Sequence, residues 1–177
     1  MKIQDNFLDK HKFEEIQTFI MGDNFSWYYI DNIDYQKIDS NGKSYYPPSD
    51  RCMFTHVFYF GEAPRSQHSN IVEPILNIIN PISLWRIKAN HLMKTPHIVE
   101  DEYHIDMEFV MTKEKLKQWT TSIFYINSND GYTEFKDGTK VESVANRLIT
   151  FSSDLQHRGT SCTDSKRRIL INFNYFK

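Results

Sequence analysis

The chain has 177 residues, enough for one domain with a sizeable core. Its 21 Lys and Arg nearly balance 23 Asp and Glu, and a net charge of −2 lacks the basic footprint of a nucleic-acid binder. Aromatic residues make up 15%, which argues for a β-rich core and against disorder. Cys52 and Cys162 are too few and too far apart for a disulfide framework or a cysteine zinc site, and they suit a reducing compartment. No apolar run is long enough to span a membrane. The opening MKIQDNFLDK has no apolar stretch of the signal-peptide kind, so the expected location is cytoplasmic.

In chain order, Asp9 to Met21 reads as a helix. Asp9 is its N-cap, Phe13, Ile16, Phe19 and Ile20 share one face, and Gly22 ends it. Phe25 to Ile30 is a short aromatic strand. Asp31 to Asp50 is a polar loop with a hairpin turn at Asn41-Gly42 and an aromatic, proline-rich stretch, Tyr45-Tyr46-Pro47-Pro48, that could lie over a site. Arg51 to Phe60 is a second strand, and Gly61 to Pro64 breaks it. Asn70 to Asn80 is a second helix, with Ile71, Ile75, Leu76 and Ile79 on one stripe and Pro81 just beyond.

From Ile82 the character changes to closely spaced strands. These are Ser83 to Leu92, Glu102 to Val110, Thr120 to Asn127, Tyr132 to Phe135, Arg147 to Phe151 and Arg168 to Tyr175. A helical turn at Lys113 to Gln118 interrupts them, and Asn129-Asp130-Gly131, Asp137-Gly138 and Ser152-Ser153-Asp154 supply turns. The pattern predicts a mainly β (α+β) fold: N-terminal helices, then a jelly roll, with no linker dividing residues 1–81 from 82–177.

The chemistry concentrates in three places. His104 and Asp106 form an H-x-D pair, and residues two apart in a strand project to one face. His157 follows the strand that ends at Phe151. Two imidazoles and one carboxylate make the facial triad of non-haem Fe(II) oxygenases, which leaves coordination positions open. Beyond His157 lie Arg167 and Arg168, at the start of a buried strand. An arginine entering a core has to meet an anion, because an unpaired buried charge is costly. Alternation puts Arg167 on the face of Ile169, Ile171 and Phe173. Arg168 points the other way and reads as a surface residue.

Taken in order, Tyr103-His104-Ile105-Asp106, Ile123 to Asn127, Gly131 to Phe135, Asn146 to Phe151, His157 and Arg167 resemble the Fe(II)/2-oxoglutarate-dependent dioxygenases, in their prolyl 4-hydroxylase-like branch. The resemblance covers Ile82 to Tyr175 well and the first 80 residues loosely. It implies a double-stranded β-helix. It implies that His104, Asp106 and His157 bind Fe(II), that Arg167 pairs with the distal carboxylate of 2-oxoglutarate, and that Tyr125 and Asn90 contact this co-substrate. It implies hydroxylation of an unreactive C–H bond, with release of succinate and CO2 and use of O2. A prolyl or other protein side chain is the substrate the resemblance implies, and the shortness of the chain, with no separate peptide-binding domain expected, makes a free amino acid or small metabolite the alternative. Asp106 favours hydroxylation over halogenation, since related halogenases lack this carboxylate.

The other features read as structural. Arg86 and Lys88 are taken as solvent-facing, with a pocket-lining position as the alternative, His91 and His97 as exposed, and His56 as a partly buried strand histidine. Asn146 stands where many relatives have glycine, for no reason visible in the sequence. The competing readings are a non-catalytic, cupin-like metal-binding module, a zinc-binding structural protein, and a nucleic-acid demethylase of the same chemistry, which the net charge counts against.

Overall fold

The computed structural model describes residues 1–33, 37–38, 41, 44–45, 51–107 and 111–177. Asp9 caps the first helix, α1 (Lys10–Met21), where its carboxylate accepts the Lys12 backbone N–H at 3.0 Å. Phe13, Ile16 and Ile20 are buried along it. The expected helix over 70–80 is a 3-10 turn, Ser69–Val72, followed by a shorter α2 (Glu73–Ile79). Asn80 closes α2 in the left-handed region, φ 50°, and Pro81 cannot continue it.

Thirteen strands occur among the described residues. They are β1 (Lys2–Gln4), β2 (Tyr28–Ile30), β3 (Lys37–Ile38), β4 (Ser44–Tyr45), β5 (Met53–Phe60), β6 (Ala63–Pro64), β7 (Ser83–Met93), β8 (Trp119–Tyr125), β9 (Tyr132–Phe135), β10 (Lys140–Glu142), β11 (Leu148–Ser152), β12 (His157–Arg158) and β13 (Arg167–Phe176). A one-turn helix, α3 (Lys113–Leu116), precedes β8. The larger sheet runs β1-β11-β8-β13-β7-β5-β2, with β6 beside β5, and the smaller runs β10-β9-β12. Every pairing is antiparallel. The strands β3 and β4 pair as a hairpin, while Gly42 of its expected turn and residues 46–48 of the aromatic loop lie outside the described residues.

The central strands are buried on both faces. On one, Ile87, Ala89, Phe124, Ile169, Ile171 and Phe173 meet the apolar faces of α1 and α2. On the other, Ile123, Tyr125, Ile149, Phe151 and Leu170 pack against Phe135 and Val141 of the smaller sheet. Each such side chain contributes about 1.5–3 kcal/mol when fully buried. The result is the double-sheet jelly roll that the strand spacing predicted, with the double-stranded β-helix topology that the resemblance implied. No helix among the described residues is long and apolar enough to cross a membrane.

Asn146 holds the N-terminal segment against this roll. It adopts φ 63°, a region Gly enters freely and Asn tolerates better than most residues. Its side chain accepts the Leu8 N–H at 2.9 Å and donates to the Leu8 carbonyl at 2.8 Å, while its own carbonyl accepts the Phe7 N–H. A glycine would satisfy the backbone and lose the clamp.

Candidate active site

The expected strand over 102–110 is largely absent among its described residues. His104 makes one isolated bridge with His157, and Asp106 and Met107 sit in a turn, while residues 108–110 lie outside the described residues. The bridge still brings the three groups together. His104, Asp106 and His157 each offer a ligand atom, and these atoms lie within 4.8 Å of one another. The two imidazole centroids are 4.7 Å apart.

Tautomer and charge suit a metal. His104 Nδ1 lies 3.1 Å from the Glu102 carbonyl, and His157 Nδ1 lies 3.1 Å from the Leu155 carbonyl. A carbonyl only accepts, so both Nδ1 atoms carry a proton, and Nε2 is the nitrogen each ring turns to a metal. Burial, with repulsion from His104, brings His157 down to about 4, so it is neutral at pH 7. Burial pushes Asp106 up, but Arg86, His104 and His157 outweigh it and hold the carboxyl well below its ordinary range. Arg86 Nη2 lies 3.2 Å from Asp106 Oδ1, and Asn174 donates to Oδ2 at 2.9 Å. Arg86 Nε in turn donates to Asn174 Oδ1 at 3.0 Å, closing a ring of Arg86, Asn174 and the carboxylate itself. A neutral His157, a second imidazole and an ionised, oriented carboxylate fit a divalent cation of the Fe(II) type and leave positions for other ligands.

The two histidines of the triad open on a cavity of about 320 Å³ between the sheets. Its wall carries His104, His157, Lys88, Asn90, Thr133 and Arg168. Here one expectation is corrected. Arg167 does not reach this cavity: its Nη2 donates to the Met21 carbonyl at 2.7 Å, tying β13 to the end of α1. Arg168, read as a surface residue, is 1% exposed and lines the cavity. The parity of β13 was right, and the face was not. Its more apolar face packs under the helices, and the cavity face carries Arg168, Leu170, Asn172 and Asn174.

Arg168 is built in. Nε donates to Ser143 Oγ at 2.8 Å, Nη2 to Thr133 Oγ1 at 3.3 Å, and Nη1 to the Thr160 carbonyl at 3.4 Å. A Cβ on Gly131 would stand 2.6 Å from Arg168 Cδ and from the Ser161 carbonyl oxygen, so only glycine leaves room for this side chain. No carboxylate among the described residues forms an ion pair with Arg168.

Tyr125 is fully buried behind Thr133, and its hydroxyl donates to Thr133 Oγ1 at 2.8 Å. Burial raises its pKa, which keeps the hydroxyl protonated. Asn90 stands on the cavity wall, and its Oδ1 is buried without a hydrogen-bond partner. Arg86 and Lys88, read as solvent-facing, lie on the cavity side of β7. His91, also read as exposed, is buried beside Trp27 and Phe54. The signal that could have found the cavity face was polar spacing at 168, 172 and 174.

No protein-family model matches the sequence, and no curated protein matches it. Solved structures do. The chain aligns with a prolyl hydroxylase from Trichoplax adhaerens, solved with a hypoxia inducible factor oxygen degradation domain peptide, at a TM-score of 0.64 and 13% identity over 99% of this chain and 82% of that one. This is the fold of the 2OG-Fe(II) oxygenases. A second oxygenase match, the non-heme alpha ketoglutarate dependent carbocyclase SnoK of nogalamycin biosynthesis, gives 0.62 and 9% over 99% and 78%. A 2OG-Fe(II) oxygenase family protein from Burkholderia pseudomallei gives 0.58 and 12% over 97% and 82%. Within the oxygenase fold the cavity and triad of this chain lie between the two sheets of the roll.

Proposed function

We propose that the protein is an Fe(II)- and 2-oxoglutarate-dependent dioxygenase that hydroxylates an unreactive C–H bond, with release of succinate and CO2. The observation that carries this reading is a His-Asp-His triad whose two imidazoles share one cavity with a buried arginine that forms no ion pair among the described residues. When bound, iron with 2-oxoglutarate and O2 supplies the oxidising power, which no side chain here possesses.

His104, Asp106 and His157 hold the metal on one face. Arg168 grips the distal carboxylate of 2-oxoglutarate, as a buried guanidinium grips an anion. Thr133 assists. Its oxygen already accepts from Tyr125 and Arg168, so its own proton is directed to a further acceptor. Tyr125 therefore acts through Thr133 and not on the co-substrate itself. Leu170 and Ile123 flank the methylene carbons, and Asn90 offers its amide to the co-substrate beside them. Around them the apolar cluster of Ile149, Phe151 and Phe135 keeps water from this end of the roll.

The test is succinate formation from 2-oxoglutarate in the presence of Fe(II), ascorbate and O2. Wild type forms succinate slowly even without a primary substrate. His104→Ala, Asp106→Ala and His157→Ala each form none. Succinate at the wild-type rate in any of the three overturns the reading.

A further inference from the structure

With Arg168 assigned to 2-oxoglutarate, one cation among the described residues that line the cavity is left unused, and its role rests on that assignment. Lys88 lies on β7 opposite Asn172 of β13 and Val57 of β5. It lines the cavity and makes no hydrogen bond or ion pair among the described residues. Its register partner Asn172 is 7% exposed, lines the same wall, and has a buried Oδ1 without a partner. A lysine with no partner on the wall of a closed roll is out of place unless an anion meets it.

This is not the Arg168 end of the cavity. Arg168 stands opposite Leu92, four residues along β7 from Lys88, roughly 13 Å at a strand's rise per residue. The guanidinium is anchored at Thr133, Ser143 and Thr160. The Lys88 ammonium instead sits in the field of Arg86 and Asp106, at the metal end. Among the described residues, Arg86 and Lys88 face the carboxylate of Asp106, while Asp101 and Glu102 also line the cavity and Asp101 is paired with Arg51. A divalent metal adds to the positive side, and the two charges of 2-oxoglutarate are taken up by the metal and by Arg168.

We propose that Lys88 and Asn172 form a second anion subsite beside the metal triad, and that it binds the carboxylate of the primary substrate. Lys88 supplies the charge and the Asn172 amide, rotated, an N–H donor. The corresponding substrate class is a small free carboxylic acid, such as an unblocked amino acid, held with the carbon to be hydroxylated near its own carboxylate. The interior of a peptide has no such group. The cavity, about 320 Å³, is at the small end for ligand pockets, which agrees.

The experiment is calorimetry under anaerobic conditions on protein loaded with Fe(II) and 2-oxoglutarate, so that binding is read without turnover. L-proline, L-leucine, L-lysine, 4-methylpentanoate and 3-phenylpropionate are each titrated beside the corresponding primary amide, with inorganic phosphate as a further probe. At least one acid should bind about tenfold or more tightly than its amide, as a charge-assisted pair requires. Lys88→Met should erase that difference, and Lys88→Arg should retain most of it. The proposal is overturned if no acid is preferred over its amide, if phosphate binds in their place, or if Lys88→Met weakens 2-oxoglutarate instead, which would make Lys88 a co-substrate contact. Failure of the underlying oxygenase reading is separate: wild type would then not bind 2-oxoglutarate with Fe(II) at all.

Discussion

His104 and His157 exchange both backbone hydrogen bonds, N–H to carbonyl at 2.9 and 3.1 Å, in an isolated bridge between β12 and a residue outside any strand. This pair fixes the geometry of the triad. Two residues from distant parts of the chain are thereby held directly opposite one another as a hydrogen-bonded antiparallel pair. Each imidazole is then oriented by a carbonyl two residues before it, Glu102 or Leu155. Tyr103, beside His104, is clamped between Lys136 and Arg158 at 4.4 and 4.5 Å from its ring. The metal end is therefore organised without needing a metal to organise it.

The carboxylate is organised too, and by residues outside the triad. Asn174→Leu removes the donor on Asp106 Oδ2 and loosens Arg86. Affinity for Fe(II) or Zn(II) should fall about 10- to 100-fold, as for other groups that orient ligands. Competition with a calibrated chelator measures this. Unchanged affinity would mean that Asp106 needs no support.

Arg168→Met should raise the dissociation constant of 2-oxoglutarate about 10- to 100-fold, the loss of one buried charge-assisted hydrogen-bond set worth about 1.5–3 kcal/mol. Arg167→Met should leave that constant alone and lower stability by about 1 kcal/mol, since it loses one bond to the Met21 carbonyl. Calorimetry and thermal melts on the two variants separate the roles. The reverse pattern would mean that β13 presents its other face to the cavity. Gly131→Ala should mimic the Arg168 defect, because its methyl group displaces the Arg168 stem.

At Asn146 the order of stability should be Asn, then Gly, then Ala. Gly keeps the left-handed backbone and loses the two side-chain bonds to Leu8, about 1 kcal/mol each. Ala loses the same bonds and adds about 1 kcal/mol of backbone strain. Each kcal/mol corresponds to about 2–4 °C in the melting midpoint for a chain of this size.

His91 makes stability depend on acid. Burial, with Arg167 adding repulsion, brings its pKa from 6.5 down to about 4. Between those two values the unfolded chain binds a proton at His91 and the folded chain does not. Stability should therefore fall as pH drops from about 6.5 to 4, and this histidine should leave it flat above 6.5. His91→Leu should shallow that slope in urea unfolding followed from pH 7 to 4. An unchanged slope would assign it to other groups.

Much of the fold was legible because its signals are local. The Asp9 cap, the stripes of α1 and α2, and the spacing of β7, β8, β9, β11 and β13 all read directly from periodicity and turn residues. The short strands β1, β10 and β12 did not, since two or three residues carry no period and pair only because their partners are already in place. The triad was legible through the H-x-D and His157, although His104 and Asp106 are joined by a turn and not by the expected strand. Arg168 was misread for a physical reason. Both faces of β13 are buried, so apolar alternation could give its parity and not which face looks inward. Lys88 was misread for a related reason, since a charged residue on a strand usually marks solvent and here marks a cavity.

Whether the triad and Arg168 form one co-substrate site is read by an anaerobic titration of the protein with Fe(II) and 2-oxoglutarate, followed through the weak visible charge-transfer band of the chelate. It needs no knowledge of the primary substrate. Wild type should develop the band, and Asp106→Ala should not. A wild-type protein that binds Fe(II) fully, shown by metal analysis, yet gives no band with 2-oxoglutarate would contradict the oxygenase reading and leave a metal-binding roll without this chemistry.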